Sequence, residues 1–286
     1  MANLKEIRNR ISSIGSTMQI TSAMKMVSAA KLKKAQDAIT QMRPYANKLT
    51  ELLQSLSATL EMEDGGALTE EREVNKVLLI AVTSNRGLCG GFNSAIIKHT
   101  NHIIETEYAG KEVSVLTIGK KGDDLLSKEH SIHSNHNDVF DDLTFENVAV
   151  IAENLMEQFE NGDFDKIEII YNRFKNAATQ IVMQEQFLPI VTPENDSNVN
   201  LDYIFEPSKE EIVKGLIPKS LKTQLFKAVR DSFAAEHGAR MTAMHKATDN
   251  ATDLRNELLL QYNKARQAAI TNEILEIVGG AEALKG

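Results

Sequence analysis

The chain has 286 residues with a net charge of −8, and it is 42% hydrophobic and 25% charged, the balance of an ordinary globular protein with one large or two ordinary domains. A single cysteine, Cys89, excludes an internal disulfide and a cysteine-based zinc site. The longest uninterrupted apolar run, Val77 to Val82, is far below the ~20 residues a membrane-crossing helix needs.

The charge is unevenly placed. Residues 1–48 carry nine basic side chains against Glu6 and Asp37, a net +7 that leaves −15 for the remainder. Such a basic segment suits an acidic partner surface, nucleic acid or lipid head groups, and equally a solvated helix face. Within it, Leu4, Ile7, Ile11, Ile14 and Met18 are spaced three and four apart. The same register resumes at Leu32 and runs through Ala35, Ile39, Met42, Ala46, Leu49, Leu53, Leu56 and Leu60, with Thr21, Lys25 and Ser28 as breaks. A heptad pattern of this length predicts a coiled-coil helix, and Pro44 predicts a kink rather than an end because the register survives it. The first 30 residues are poor in acids, as transit peptides are, but the heptads begin at Leu4 without a cleavage-like break, so no leader is expected.

The helix is expected to end near Leu60, with 63–66 (Glu-Asp-Gly-Gly) as connector. Val77–Val82 then reads as a buried strand, Asn93–Tyr108 as helix, Val113–Ile118 as strand and Lys120–Lys128 as helix. Phe145–Phe159 reads as an amphipathic helix, and Ile167–Tyr171 and Gln180–Leu188 as two strands a short turn apart. The alternation predicts an α/β layer with a mainly parallel sheet and an antiparallel final pair. Pro189–Asn200 reads as loop and Leu201–Phe205 as a short extended piece.

Two groups of residues suggest chemistry in this middle segment. The turn Ser84–Asn93 follows the first strand and precedes a helix, where α/β folds place phosphates, but its glycines match neither the dinucleotide fingerprint nor a Walker A sequence. The simpler reading is a glycine turn for close strand-to-helix packing. His130, His133, His136 and Asp138, or His99 and His102 one turn apart, are possible metal ligands; the first group lies among Ser and Asn in an expected loop without fixed geometry. Cys89 has only Arg86 close by to activate a thiolate, and no carboxylate pair or triad is visible.

After Pro207, Ser208 with Glu211 forms a capping box. Gly215 and Pro218 predict a short helix followed by a long one from Lys219. Along the latter, Ala243, Ala247, Ala251, Leu254, Leu258, Tyr262, Ala265 and Ala269 repeat with an eleven-residue period, one stripe on a nearly straight rod. About 65 residues at about 1.5 Å each would extend roughly 100 Å, more than a compact domain contains. The two terminal helices should therefore pair antiparallel as a coiled coil, with Ala234, Ala235, Gly238, Ala239, Ala243 and Ala247 allowing close approach. The division expected is 1–60 for the first helix, 61–206 for the α/β domain and 207–286 for the C-terminal helices.

Three blocks carry a family resemblance: Arg10–Ser12 with Gln19–Leu32, Arg86–Asn93, and Ala239–Met244 with Ala247–Ala251 and Tyr262–Ala281. Through them the chain resembles the gamma subunit of F-type ATP synthases, strongly at both ends and weakly from Glu112 to Asn200. The resemblance implies a shaft of paired helices inside a ring of three alpha and three beta subunits. Its foot, a Rossmann-like α/β domain, would lie beside the epsilon subunit and the c-ring, with one copy per complex. It implies no catalytic residue, cofactor or metal in this chain, and a peripheral place on the cytoplasmic side of a bacterial plasma membrane. By motif, Arg240, Gln267 and Thr271 match residues that catch a beta-subunit loop, and Met24 and Lys25 those that pass the acidic lever of the beta subunits. Tyr203, Phe205 and Glu206 match the c-ring contact. Phe205 stands where a second tyrosine is frequent, and Asn85 where aspartate is usual. The chloroplast branch, with its redox cysteine pair, is excluded by the sole Cys89. Competing readings are weaker: Ile118–Lys121 offers no acid for a ribose, and the basic helix has only Tyr45 to stack on nucleic acid.

Overall fold

The computed structural model describes residues 4–57, 67–190 and 209–283. The chain divides into two compact units: one combines Met1–Val27 with Met241–Gly286, and the other is Ser28–Arg240. The element order is α1 (Leu4–Ser57), β1 (Lys76–Val82), α2 (Phe92–Thr106), β2 (Glu112–Ile118), α3 (Lys120–Leu126), β3 (Ser131–Asn135), α4 (Phe145–Glu160), β4 (Lys166–Phe174), β5 (Gln180–Leu188) and α5 (Lys209–Ala283), with short 3-10 turns at Ala67–Thr69 and Asn137–Phe140.

In the larger unit the sheet order is β3-β2-β1-β4-β5, parallel except for the antiparallel β4–β5 pair. Both expectations for the sheet therefore hold. The apolar run of β1 is continuous because both of its faces are covered. Leu78, Ile80 and Val82 join a core with α4 and with Ile217, Leu221, Leu225, Phe226 and Val229 of α5. Val77, Leu79 and Ala81 meet Ile96 and Ile103 of α2 and Leu126 of α3 on the other side.

The strand β3 was not expected, since residues 130–136 read as a histidine-bearing loop. Its only apolar residue is Ile132, it pairs on one side alone, and a register shift opposite Val115/Leu116 interrupts its alternation. An edge strand of this kind leaves almost no hydrophobic signal. The second difference concerns α5, which runs unbroken through Pro218. The proline forfeits one backbone hydrogen bond, but Ile217 and Leu221 on either side of it are buried in the sheet core, and that burial outweighs the loss. Pro44 likewise sits inside α1. The capping Ser208, the 63–66 connector, the end near Leu60 and most of the 189–205 stretch lie outside the described residues.

In the smaller unit α1 and α5 pair antiparallel. Arg8 Nη2 donates to the Tyr262 hydroxyl at 2.7 Å, Thr252 Oγ1 to Met18 Sδ at 3.4 Å, and the Thr21 and Thr248 hydroxyls lie 2.8 Å apart. Numbers rising on one helix as they fall on the other fix the register that the seven- and eleven-residue periods left open. The heptad positions of α1 from Leu4 to Met42 are all half-buried or buried, including the three apparent breaks. Thr21, 8% exposed, closes the seam there with a small polar side chain satisfied by its partner hydroxyl, and Ser28, in the larger unit, is 3% exposed. On α5, Ala251, Leu258, Tyr262, Ala265 and Ala269 follow the predicted stripe, whereas Leu254 is exposed.

Two glycines give a direct test of packing at the sheet. Gly119 has φ +109°, and a Cβ there would lie 2.4 Å from the Thr83 carbonyl oxygen, whereas a Cβ at Gly87 meets nothing within 4 Å. Gly119→Ala is expected to destabilise the chain by about 3 kcal/mol and Gly87→Ala by under about 1 kcal/mol. Urea unfolding of the two variants beside the parent checks the contrast.

Candidate functional site

The C-terminal ends of parallel strands form the crevice where open α/β sheets bind ligands. Here the chain's own side chains fill it. Thr83 Oγ1 accepts from the Gly122 amide at 2.8 Å and donates to the Gly119 carbonyl at 3.0 Å. Asn85 Oδ1 accepts from the Lys120 amide at 3.0 Å while its Nδ2 donates to the Asn137 carbonyl at 2.8 Å. The amides at the start of α3 are thereby taken. An aspartate at position 85 could not make the second bond, which gives a local reason for the asparagine. Asn93 Oδ1 accepts from the Ser84 amide at 3.0 Å, and Asn172 Nδ2 donates to the Phe92 carbonyl at 3.0 Å, closing the glycine turn from both sides.

Over this turn lies the segment of α5 from Ala234 to Arg240. Cys89 and Phe92 pack on Ala235 and Ala239, with Phe174 beside them. A Cβ on Gly238 would stand 3.2 Å from the Phe174 ring and 3.3 Å from the Ala177 Cα, so this glycine is where the β4–β5 turn meets the helix. Arg240, only 6% exposed, donates from Nη2 to the Arg86 carbonyl at 2.9 Å and from Nε and Nη2 to the Gly87 carbonyl at 3.3 Å. Its Nη1 pairs with Glu236 at 2.6 Å and reaches His237 Nδ1 at 3.4 Å. Burial raises the Glu236 carboxyl despite Arg240, Lys31 and Arg86 acting against it. Burial, with Arg240 and Lys31, pushes His237 down to about 3, so it is neutral at pH 7. Burial also raises the Cys89 thiol, which leaves it protonated and inert.

The expected contact residues are distributed over both units. Arg240 belongs to the larger unit and is engaged inside it, a position that gives no support to a beta-subunit contact. Gln267 and Thr271 are exposed one turn apart on α5, joined by a bond from the Thr271 hydroxyl to the Gln267 carbonyl at 2.9 Å. Met24 and Lys25 are half-buried on α1. Tyr203, Phe205 and Glu206 lie outside the described residues. The histidines are held by polar neighbours: His133 faces Gln158 at 3.2 Å, His136 faces Ser134 at 3.2 Å, and His130 faces Asn101 at 3.1 Å. Among the described residues no group of three or more His, Cys, Asp or Glu side chains could hold a metal. Sequence reasoning missed Glu236 and His237, because a buried ionic helix turn looks in sequence like an ordinary solvated one.

The fold thus has two parts, a doubly wound sheet whose crevice is filled by the chain's own side chains and long helices that pair antiparallel, the architecture of a stalk-like chain. The profile described as ATP synthase matches residues 3–284. The ATP synthase gamma chain of Flavobacterium johnsoniae is 74% identical over the full length of both chains, and that of Cytophaga hutchinsonii 52% identical over 99% of each. The central stalk/c-ring structure of the Tetrahymena thermophila mitochondrial ATP synthase contains a chain 25% identical with a TM-score of 0.61, covering 80% of this chain and 99% of that one. A rotor chain of the Euglena gracilis mitochondrial ATP synthase, 21% identical with a TM-score of 0.69, shares the fold over 93% of this chain and 98% of its own. The chain belongs to the ATP synthase gamma chain family and is thus a subunit of an enzyme complex.

The buried histidine makes stability depend on pH with a definite sign. Its folded value of about 3 lies below the ordinary 6.5, so the unfolded chain binds more protons between those values and stability falls as pH drops through that window. The slope is at most about 1.4 kcal/mol per pH unit. Glu236, raised, acts with the opposite sign in both parent and variant. His237→Gln should therefore lose less stability than the parent between pH 7 and pH 5, read from urea midpoints at each pH.

Proposed function

We propose that this chain is the central rotor shaft of a bacterial F-type ATP synthase, one copy standing in a ring of three alpha and three beta subunits. In this reading the segments 1–60 and 207–286 form the shaft, and 61–206 forms the foot beside the epsilon subunit and the c-ring. Proton flow turns the c-ring and the shaft together, and the asymmetry of the shaft drives the beta subunits through binding, synthesis and release of ATP, a coupling by rigid-body rotation. The chain itself is non-catalytic and lies peripherally on the cytoplasmic side of the plasma membrane. No described helix is long and apolar enough to cross a membrane.

The observation that carries the reading is the crevice already filled by Thr83, Asn85 and Asn93, because a member of this family whose strand-end crevice is taken by its own side chains acts through its partners. The exposed amide of Gln267 and hydroxyl-bearing turn of Thr271 remain the beta-subunit contacts of choice, with Met24 and Lys25 on α1 facing the acidic lever. Tyr203, Phe205 and Glu206 are assigned to the c-ring on their motif alone.

The test is steady-state ATP hydrolysis by the alpha and beta subunits of the same organism, with and without this chain. The expected result is a complex of three alpha, three beta and one copy of this chain, with turnover raised severalfold. Gln267→Ala should then lower turnover roughly 3- to 10-fold, the worth of about one hydrogen bond. Failure to assemble, with nucleotide binding by the isolated chain, would reject the rotor reading.

A further inference from the structure

We infer that Arg240 and Glu236 are torque-bearing positioning residues: they clasp the 86–89 turn to α5, and through this clasp rotation of the α/β domain passes into the helix that becomes the shaft. The inference rests on the rotor reading for its function and on geometry for its location. A turning shaft must be held against sliding and twisting relative to the body that drives it. Apolar contacts hold surfaces together without fixing angle or axial position, because they are non-directional. The packing of Cys89 and Phe92 on Ala235 and Ala239 is of that kind.

Earlier on α5, Lys222 reaches Glu153 and Gln224 donates to the Gln186 carbonyl at 3.0 Å; at the 86–89 turn, next to the exit of the helix, the directional bonds come from one side chain. The Arg240 guanidinium spans two consecutive carbonyls, those of Arg86 and Gly87, and its remaining edge is held by Glu236. A planar fork bonded on three edges specifies both orientation and height along the helix. The carbonyls it holds are rigidly attached to the sheet. Their turn leaves β1, the central strand, after only three residues, and Ser84 and Asn93 brace it: the Ser84 hydroxyl donates to the Arg86 carbonyl at 2.7 Å and accepts from Asn93 Nδ2 at 2.9 Å. α5 leaves this unit at Met241, the residue after the clasp.

Two features mark the clasp as built for this. Leu88, between the held carbonyls and Cys89, has φ +61°, a conformation unusual for a leucine that persists where the surroundings over-determine it. The ion pair is buried on both sides, with side chains 8% and 9% exposed, although desolvating two charges costs more than an apolar pair of the same volume would. An arrangement selected for stability alone has no need of that cost, whereas one that must fix a register does.

Cys89, buried beneath the clasp and the only thiol in the chain, reports on it directly. Two variants, Arg240→Ala and Glu236→Gln, with Arg240→Lys as the conservative partner, are read in two ways. Alkylation of Cys89 by a maleimide is timed on the full-length chain and located by peptide mass. Protons pumped per ATP hydrolysed are measured on the complete complex in sealed vesicles, after confirming that one copy of the chain is incorporated. Alkylation at least tenfold faster in Arg240→Ala and Glu236→Gln, with the proton-to-ATP ratio at half the parent value or less and Arg240→Lys intermediate in both, supports the clasp. Unchanged Cys89 protection overturns it, and so does fast alkylation with an undiminished ratio, since the turn would then open without affecting transmission. Absence of pumping by the parent complex would count against the rotor reading, while the alkylation rates would still decide whether the clasp exists.

Discussion

One continuous backbone ladder, that of α5, supplies a wall to two separate cores, and its side chains change along its length to match. From Ile217 to Val229 it presents large apolar residues that complete one face of the sheet core. From Ala234 to Ala239 they give way to Ala and Gly, small enough for the turns after β1 and β4 to reach the helix surface. Beyond Met241 the residues that face α1 are Ala, Thr, Leu and Tyr. Pro218 lies within the first of these stretches, where burial of Ile217 and Leu221 on either side of it matters more than its lost donor.

The closing of the crevice follows from the same economy. In a sheet of this order the amides at the start of the helices after β1 and β2 are the groups a phosphate would take. Thr83 and Asn85 take those of the helix after β2, and Asn93 takes the Ser84 amide in the turn after β1, with short side chains that bond backbone groups a few residues or one strand away. The turn is then rigid enough to serve as a mechanical surface. A fold that elsewhere binds a cofactor holds its own helix at that place, which separates architecture from function.

The sheet and the helix pair were legible in the sequence because their signals are periodic and apolar. Val77–Val82 reads as a buried strand, and fourteen apolar residues in heptad register from Leu4 to Leu60 state the α1 seam although Thr21, Lys25 and Ser28 stand in it. What escaped was polar or long-range. β3 carries a single apolar side chain, so nothing in its composition distinguished it from a loop. The Arg240–Glu236 pair follows an i, i+4 spacing common on solvated helices, and only tertiary contact with Arg86 and Gly87 makes it a buried joint. Gly238, an anomaly in helix propensity, is explained by Phe174 and Ala177, which lie more than sixty residues away in sequence. Chemistry contributed by distant partners leaves no local pattern to read.

The two ends of α5 also differ in the kind of force they can bear. At Arg240 the bonds are directional, buried and matched to fixed carbonyls, so any rotation about the helix axis breaks them. Near the other end Ile270, Ile274, Leu275, Ile277 and Val278 are exposed together on one broad face of the helix, an apolar and therefore non-directional surface. A shaft has to be gripped where torque enters, which requires directional bonds. An apolar joint at Arg240 would leave the angle between helix and turn unset.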